Sequence, residues 1–120
     1  METTVLSNIE SYLSFKLMDE VFAINVGKVL EILELKSITK IPKSPSYMRG
    51  VINLRGRVLP VIDTRQKFGL PDREDTIDTC IIVLDIQMEG ESIVLGALVD
   101  QVNEVLSIQM NTVEPPPSIG

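Results

Sequence analysis

Residues 41–69 read IPKSPSYMRGVINLRGRVLPVIDTRQKFG, and the fold is decided by how this stretch is parsed. Pro42 and Pro45 remove backbone donors and push the residues before them into extended geometry, so residues 39–45 read as a loop. Val51, Ile52 and Leu54 then make an apolar strand that runs into Arg55-Gly56, where glycine supplies the positive φ of a tight hairpin turn. Residues 58–62 return. Pro60 cannot donate to a ladder, which puts it at an edge, at a bulge, or where the strand leaves its sheet. Residues 64–68 read as one short helix, closed by Gly69 and stopped at Pro71. This is the grammar of a binding module, and no residue in it is an obvious catalyst.

The rest of the chain agrees with a strand-rich body. In 120 residues that are 44% hydrophobic there is material for one domain, or for two small barrels sharing an interface. With no Trp, two Tyr and three Phe, the core falls to Val, Ile and Leu. The β-branched members of that set suit a pleated surface, where their stiff χ1 costs little, so the expected fold class is all-β. Leu13, Phe15 and Leu17 alternate with Tyr12, Ser14, Lys16 and Met18 as a half-buried strand, and Asp19-Glu20 turns it into residues 21–25. Residues 26–35 fit both periods, which predicts about one helical turn followed by a strand. Beyond the acidic run DREDTID at 72–78, residues 79–86 and 92–100 form a second hairpin around Glu89-Gly90-Glu91, and residues 102–108 a further strand. Pro115, Pro116 and Pro117 end regular structure. The division expected is a flexible lead-in over 1–10, a first barrel over 11–71, an acidic connection over 72–78, and a partial second barrel over 79–120.

Several function classes fall away. There is no basic start followed by an apolar segment, and residues 93–99 are too short to span a bilayer, so the reading is a cytoplasmic protein without direct membrane insertion. Cys80 has no partner for an internal disulfide and, lacking basic neighbours in sequence, reads as a small core residue rather than a reactive thiol. With no His, the usual acid–base group near neutral pH is missing, and zinc would lack its ligands. The acidic run has no EF-hand spacing, and the glycines stand singly, so no phosphate cradle is written here. Asp63 and Asp100 each close an apolar strand and read as caps or turn formers rather than as a catalytic pair. No enzyme, metal or cofactor is expected.

Charge is divided unevenly. Between Lys36 and Lys67 there are eight basic residues and a single acid, Asp63, while the remainder carries three basic residues against sixteen acids. Such a dipolar surface steers and orients a charged protein partner. Nucleic acid is a poorer fit, because the basic span has only Tyr47 as a stacking platform and the overall pI is near 4.6. A small-barrel ligand or oligonucleotide binder remains the alternative reading.

The runs FAINVGKVLEIL from Phe22, IPKSPSYMRGVINLRGRVLPVIDTRQKFG, and VLGALVDQVNEVLSI resemble the CheW family of bacterial chemotaxis adaptors over nearly the whole chain. The resemblance implies two small SH3/OB-like five-stranded barrels sharing a hydrophobic core, and no enzymatic activity. It also implies that the chain couples cytoplasmic tips of transmembrane chemoreceptors to the regulatory domain of the histidine kinase CheA, in receptor arrays at the inner membrane. Glu31 and Arg55 match a family pair that forms a salt bridge beside a receptor-binding groove between the barrels. Val29 and Gly50 match positions linked to that groove, and Gly96 one on the second barrel. Arg55→Ala is then expected to cost roughly 2 to 5 kcal/mol of partner binding if the pair is buried there. Tyr47 and Met48, just before the hairpin, are candidate kinase contacts. Relatives continue past the prolines with strands that close the second barrel, so that barrel is expected to be incomplete here. Self-association through its open edge, with residues 93–99 as a candidate strand, follows from the same comparison.

Overall fold

The computed structural model describes residues 9–71 and 74–109. Its strands are β1 (Ile9–Leu17), β2 (Glu20–Asn25), β3 (Val29–Glu34), β4 (Met48–Leu54), β5 (Arg57–Asp63), β6 (Cys80–Met88), β7 (Glu91–Val99) and β8 (Gln101–Gln109). A 3-10 turn, Val26–Lys28, leads into β3, and one short helix, α1 (Thr64–Lys67), follows β5. The all-β expectation holds, as do both hairpin turns and the helical turn before β3. Among the described residues no helix is long and apolar enough to cross a membrane.

Two curled sheets divide the strands. One has five, in the order β3-β6-β7-β5-β4, parallel only where Val61 to Asp63 of β5 run beside Gly96 to Leu98 of β7. Its outer strands approach each other, and the chain just beyond β3 returns to β4 in a single bridge. There Thr39 N–H donates to Val51 O and Val51 N–H donates to Thr39 O, both at 2.9 Å. That bridge closes the sheet into a barrel, and Gly50 makes it possible. Gly50 has φ +144°, and a Cβ built on it would lie 2.2 Å from Thr39 O. Any side chain there would hold the two strands apart.

The other sheet has three strands, β2-β1-β8, all antiparallel. The β1–β8 register shifts between Leu13 and Phe15, and the buried Ser14 hydroxyl mends the ladder there. It donates to Glu104 O at 3.0 Å and accepts from Glu104 N–H at 3.2 Å.

β6 and β7 form the wall between two apolar clusters. Ile81, Val83 and Leu98 face the barrel interior with Ile52, Leu59 and Val61. Ile82, Leu84, Ala97 and Val99 face the other way, against Leu13 and Leu17 of the three-stranded sheet. Burying each such Leu or Ile side chain is worth about 1.5–3 kcal/mol, so this double-sided wall is the main source of cohesion. It also explains why Cys80 to Leu84 reads as an unbroken apolar run: neither face meets water.

The expected division of the chain is corrected here. Residues 79–99 do not start a separate barrel; β6 pairs with β3, and β7 pairs with β5, completing the five-stranded unit. A run that is apolar on both faces needs cover on both, and only a central place in the sheet supplies it. β8 then returns to β1, so the unit with fewer strands contains both ends of the described chain. β7 is not an outer strand of the sheet, having β6 on one side and, over Gly96 to Leu98, β5 on the other, so the strand expected at an open edge lies inside the sheet. Ile9 and Glu10, expected in the lead-in, already belong to β1, opposite Gln109 and Ile108. The proline run at 115–117 lies outside the described residues.

Candidate docking site

The β4–β5 turn is a two-residue loop in which Arg55 (φ 53°) and Gly56 (φ 82°) are both left-handed, the pairing that matches strand twist. Asn53 Oδ1 accepts from Gly56 N–H at 2.9 Å and stiffens it. The turn carries Arg55 to the far end of the barrel seam, opposite β3. A register shift between Val29 and Glu31 reverses the faces of β3 at that point. Val29 packs on the core between the sheets, while Leu33 packs in the barrel. Glu31, beyond the shift, meets Arg55 in an ion pair. The seam between β3 and β4 is thus held at one end by the Thr39–Val51 bridge and at the other by this pair.

Around the pair opens a cleft of about 400 Å³, the mouth of the barrel. Its floor is apolar, from Leu54, Leu59, Val83 and Val94, and its rim holds Leu30, Glu31, Arg55, Arg57 and Val58. Leu30 is 54% and Val58 70% exposed. The Arg55 side chain is 69% exposed and that of Glu31 30%. Water therefore screens the pair, which contributes at most about 1 kcal/mol to the fold. An apolar floor behind a polar rim is the anatomy of a protein-docking surface.

A second concavity, of about 310 Å³, lies on the other side of β3. Ile32, Leu33 and Glu34 line it from β3, residues 77–80 from the loop and β6, and Gln101 and Val102 from β8. Cys80 sits in its wall. Burial pushes the thiol up from its ordinary value, with Asp78 adding to the shift and a backbone hydrogen bond at Val102 opposing it. A thiol kept protonated is a poor nucleophile, in keeping with a packing role.

At the other end of β5 from Arg55, a buried charge cluster joins the sheets. Arg65, fully buried in α1, meets Asp63 at 3.3 Å, Asp100 at 3.2 Å and Asp75 at 3.6 Å. Asp63 also caps α1, accepting from Arg65 N–H and Gln66 N–H. Asp100, at the β7–β8 corner, accepts from Met18 N–H at 2.6 Å, while its own N–H donates to Lys16 O at 3.0 Å. Arg49 pairs with Asp75 and, at 3.5 Å, with Asp63. The strand-end carboxylates are thus caps, and they also share one guanidinium. Among the described residues no group of His, Cys, Asp and Glu is arranged to hold a metal ion. The acidic run expected as a plain connection contributes Asp75 to this cluster.

Of the residues singled out from sequence, the structure brings Glu31 and Arg55 together on the surface. Val29 is half-buried between the sheets, Gly50 lies at the barrel closure, and Gly96 is buried in β7, where a Cβ would sit 2.7 Å from Ile81 Cγ2. Those three shape the framework behind the site. Tyr47 and Met48 are half-buried. Lys67 Nζ lies 4.3 Å from the centre of the Tyr47 ring, Tyr47 O accepts from Asp63 N–H, and Met48 lines a polar hollow beneath residues 40–46. Sequence reasoning missed Arg65. Its signal was an arginine two residues after a strand-ending aspartate, inside a helix too short to expose it.

Comparison with known proteins supplies the remaining evidence. The family description "CheW-like domain" matches residues 11–120. The probable chemotaxis protein CheW of Rhizobium etli is 37% identical over 108 residues, which are 90% of this chain and 67% of that one. The chemotaxis protein CheW of Helicobacter pylori is 33% identical over 106 residues, 88% of this chain and 62% of that one. Among solved structures, the scaffolding protein TtCheW from Thermoanaerobacter tengcongensis superposes with a TM-score of 0.78 at 38% identity, covering 92% of this chain and 73% of that one.

Proposed function

We propose, because this chain belongs to the CheW-like family of chemotaxis adaptors, that it couples the cytoplasmic tips of transmembrane chemoreceptors to the histidine kinase CheA by protein–protein contact. The observation that carries the reading is the Glu31–Arg55 pair at the barrel mouth, with Leu30 and Val58 held in water beside it. Two exposed apolar side chains flanking an ion pair gain little from the free protein. They gain much from a partner that covers them. A receptor tip docked here removes water from the pair and turns a weak contact into a strong one. The kinase takes a separate surface, for which Tyr47 and Met48, at the base of the 40–46 loop, are the proposed contacts. Recruitment to receptor arrays at the inner membrane follows from the receptor contact.

The test is co-sedimentation with receptor tips and CheA, comparing the wild type with Arg55→Ala. Truncation should weaken receptor binding by roughly 2 to 5 kcal/mol, because Glu31 is left buried and unpaired in the complex. Unchanged receptor affinity would discard the assignment of Arg55 to the docking site.

A further inference from the structure

Asp85 stands in β6 where the fold calls for an apolar side chain. β6 and β7 pair without interruption from Cys80 opposite Val99 to Met88 opposite Glu91, so Ile81, Val83, Asp85 and Gln87 share the barrel face of β6. Ile81 and Val83 are buried in the barrel core, while Gln87 is exposed and donates to Ser92 Oγ at 2.7 Å. Asp85 lies between them, directly opposite Val94, and Val83, Val94 and Ser92 all line the barrel mouth. The residue is half-buried and its Oδ1 is covered. That oxygen accepts no hydrogen bond, and Asp85 enters no ion pair among the described residues.

A covered carboxylate oxygen without a donor is costly, and Asp is a poor strand former besides. Valine, the residue at 83 and 94, would serve the fold better. Arg57 is the complementary case. It stands exposed on the rim of the same mouth and enters no ion pair among the described residues, while its neighbour Arg55 is held by Glu31. An anion and a cation that share one cleft without meeting are placed for groups that arrive from outside.

We propose that Asp85 determines which segment the barrel mouth accepts, by pairing with a basic side chain of the docked partner while Arg57 takes an acidic one. This rests on the docking reading above and adds a charge pattern to it. The partner carries a Lys or Arg that reaches over Val94, and an Asp or Glu that meets the rim. Its cation needs only the outer oxygen of Asp85, and once the partner has expelled water the same charge compensates the inner oxygen. A segment without that basic group would enclose the carboxylate and leave it unpaired, so Asp85 refuses wrong partners as well as holding the right one.

Titration of the intact chain with a purified chemoreceptor cytoplasmic fragment tests this, alongside urea unfolding of each variant alone. Asp85→Val should weaken binding about tenfold, the size of one charge-assisted hydrogen bond, and should move the urea midpoint upward, because the unpaired oxygen is gone. A residue that merely packed the barrel would move stability and affinity in the same direction. Asp85→Asn, which keeps the shape and loses the charge, should also weaken binding and should flatten its dependence on salt. Arg57→Gln should weaken binding and leave the midpoint unchanged. If Asp85→Val lowers the midpoint, the oxygen is satisfied in the free chain and the proposal is overturned. If both Asp85 variants bind like wild type while Arg55→Ala does not, Asp85 takes no part and the barrel-mouth reading stands. If Arg57→Gln alone binds like wild type, the two-charge pattern is overturned. If no variant, Arg55→Ala included, changes affinity, both readings fall.

Discussion

Arg55 and Arg65 stand at opposite ends of β5, and both meet carboxylates, but water treats them differently. Arg55, in the turn before the strand, is 69% exposed and has Glu31 beside it. Arg65, in the helix after it, has a side chain 1% exposed and meets Asp63, Asp75 and Asp100. The buried guanidinium has given up its hydration and depends on those carboxylates and the further contacts around it. The exposed one has lost little and is available to a partner. Ion pairing therefore marks the framework at one end of the strand and the recognition surface at the other, and burial decides which.

The largest effect should come from breaking the buried end. Arg65→Met removes the guanidinium that Asp63, Asp75 and Asp100 share, and loosens the cap of α1 and the Asp100 contact with the β1–β2 turn. Removing one partner of a buried ion pair typically costs about 3–5 kcal/mol, and urea unfolding should register a loss of that size. Replacing Asp63 and Asp100 by apolar residues as well should recover part of it, since Arg49 and Asp75 are then left to pair with each other. A loss below about 1 kcal/mol for Arg65→Met would mean that the junction is hydrated and that the contrast with Arg55 is false.

The seam offers a second way to sharpen the comparison, because its two ends close by different means. At the bridge, Gly50→Ala places a Cβ 2.2 Å from Thr39 O and 2.8 Å from Ile38 Cγ2, at φ +144°. Backbone cannot yield there as a side-chain tip does, and the expected loss is about 3 kcal/mol, combining strain and overpacking. Gly56, at the Arg55 end, also has positive φ, but its Cβ would meet nothing within 4 Å. Gly56→Ala should then cost only the left-handed penalty, about 1–2 kcal/mol. Faster amide exchange at Thr39 and Val51 in the first variant and not in the second would locate the damage at the bridge.

How much of this could be read in advance follows from the range of each interaction. Arg55-Gly56, the short helix before Gly69 and the turn at Glu89-Gly90 were legible because a few adjacent residues determine them. The pairing of β5 with β7 and the return of β8 to β1 were not, since they depend on which distant strand covers a buried face. Gly50 shows the same limit. Its importance was visible through the family motif, but the carbonyl that excludes a side chain comes from Thr39, in a loop read as merely connecting. Arg65 was hidden for a related reason: three carboxylates converge on it from β5, the 74–79 loop and the β7–β8 corner, and no local pattern announces such a meeting.

The smallest effect should come from Arg55 itself, measured in the chain without a partner. A screened surface pair contributes about 0.2–1 kcal/mol, so Arg55→Ala should shift the urea midpoint slightly, and less still in 1 M salt, where the Debye length is about 3 Å. This modest number controls the interpretation of the binding experiment. If Arg55→Ala unfolded the chain as readily as Arg65→Met, its loss of receptor affinity would report a damaged barrel. With stability nearly intact, the same loss reports a missing contact, and the two ends of β5 are separated into one that holds the fold and one that meets the partner.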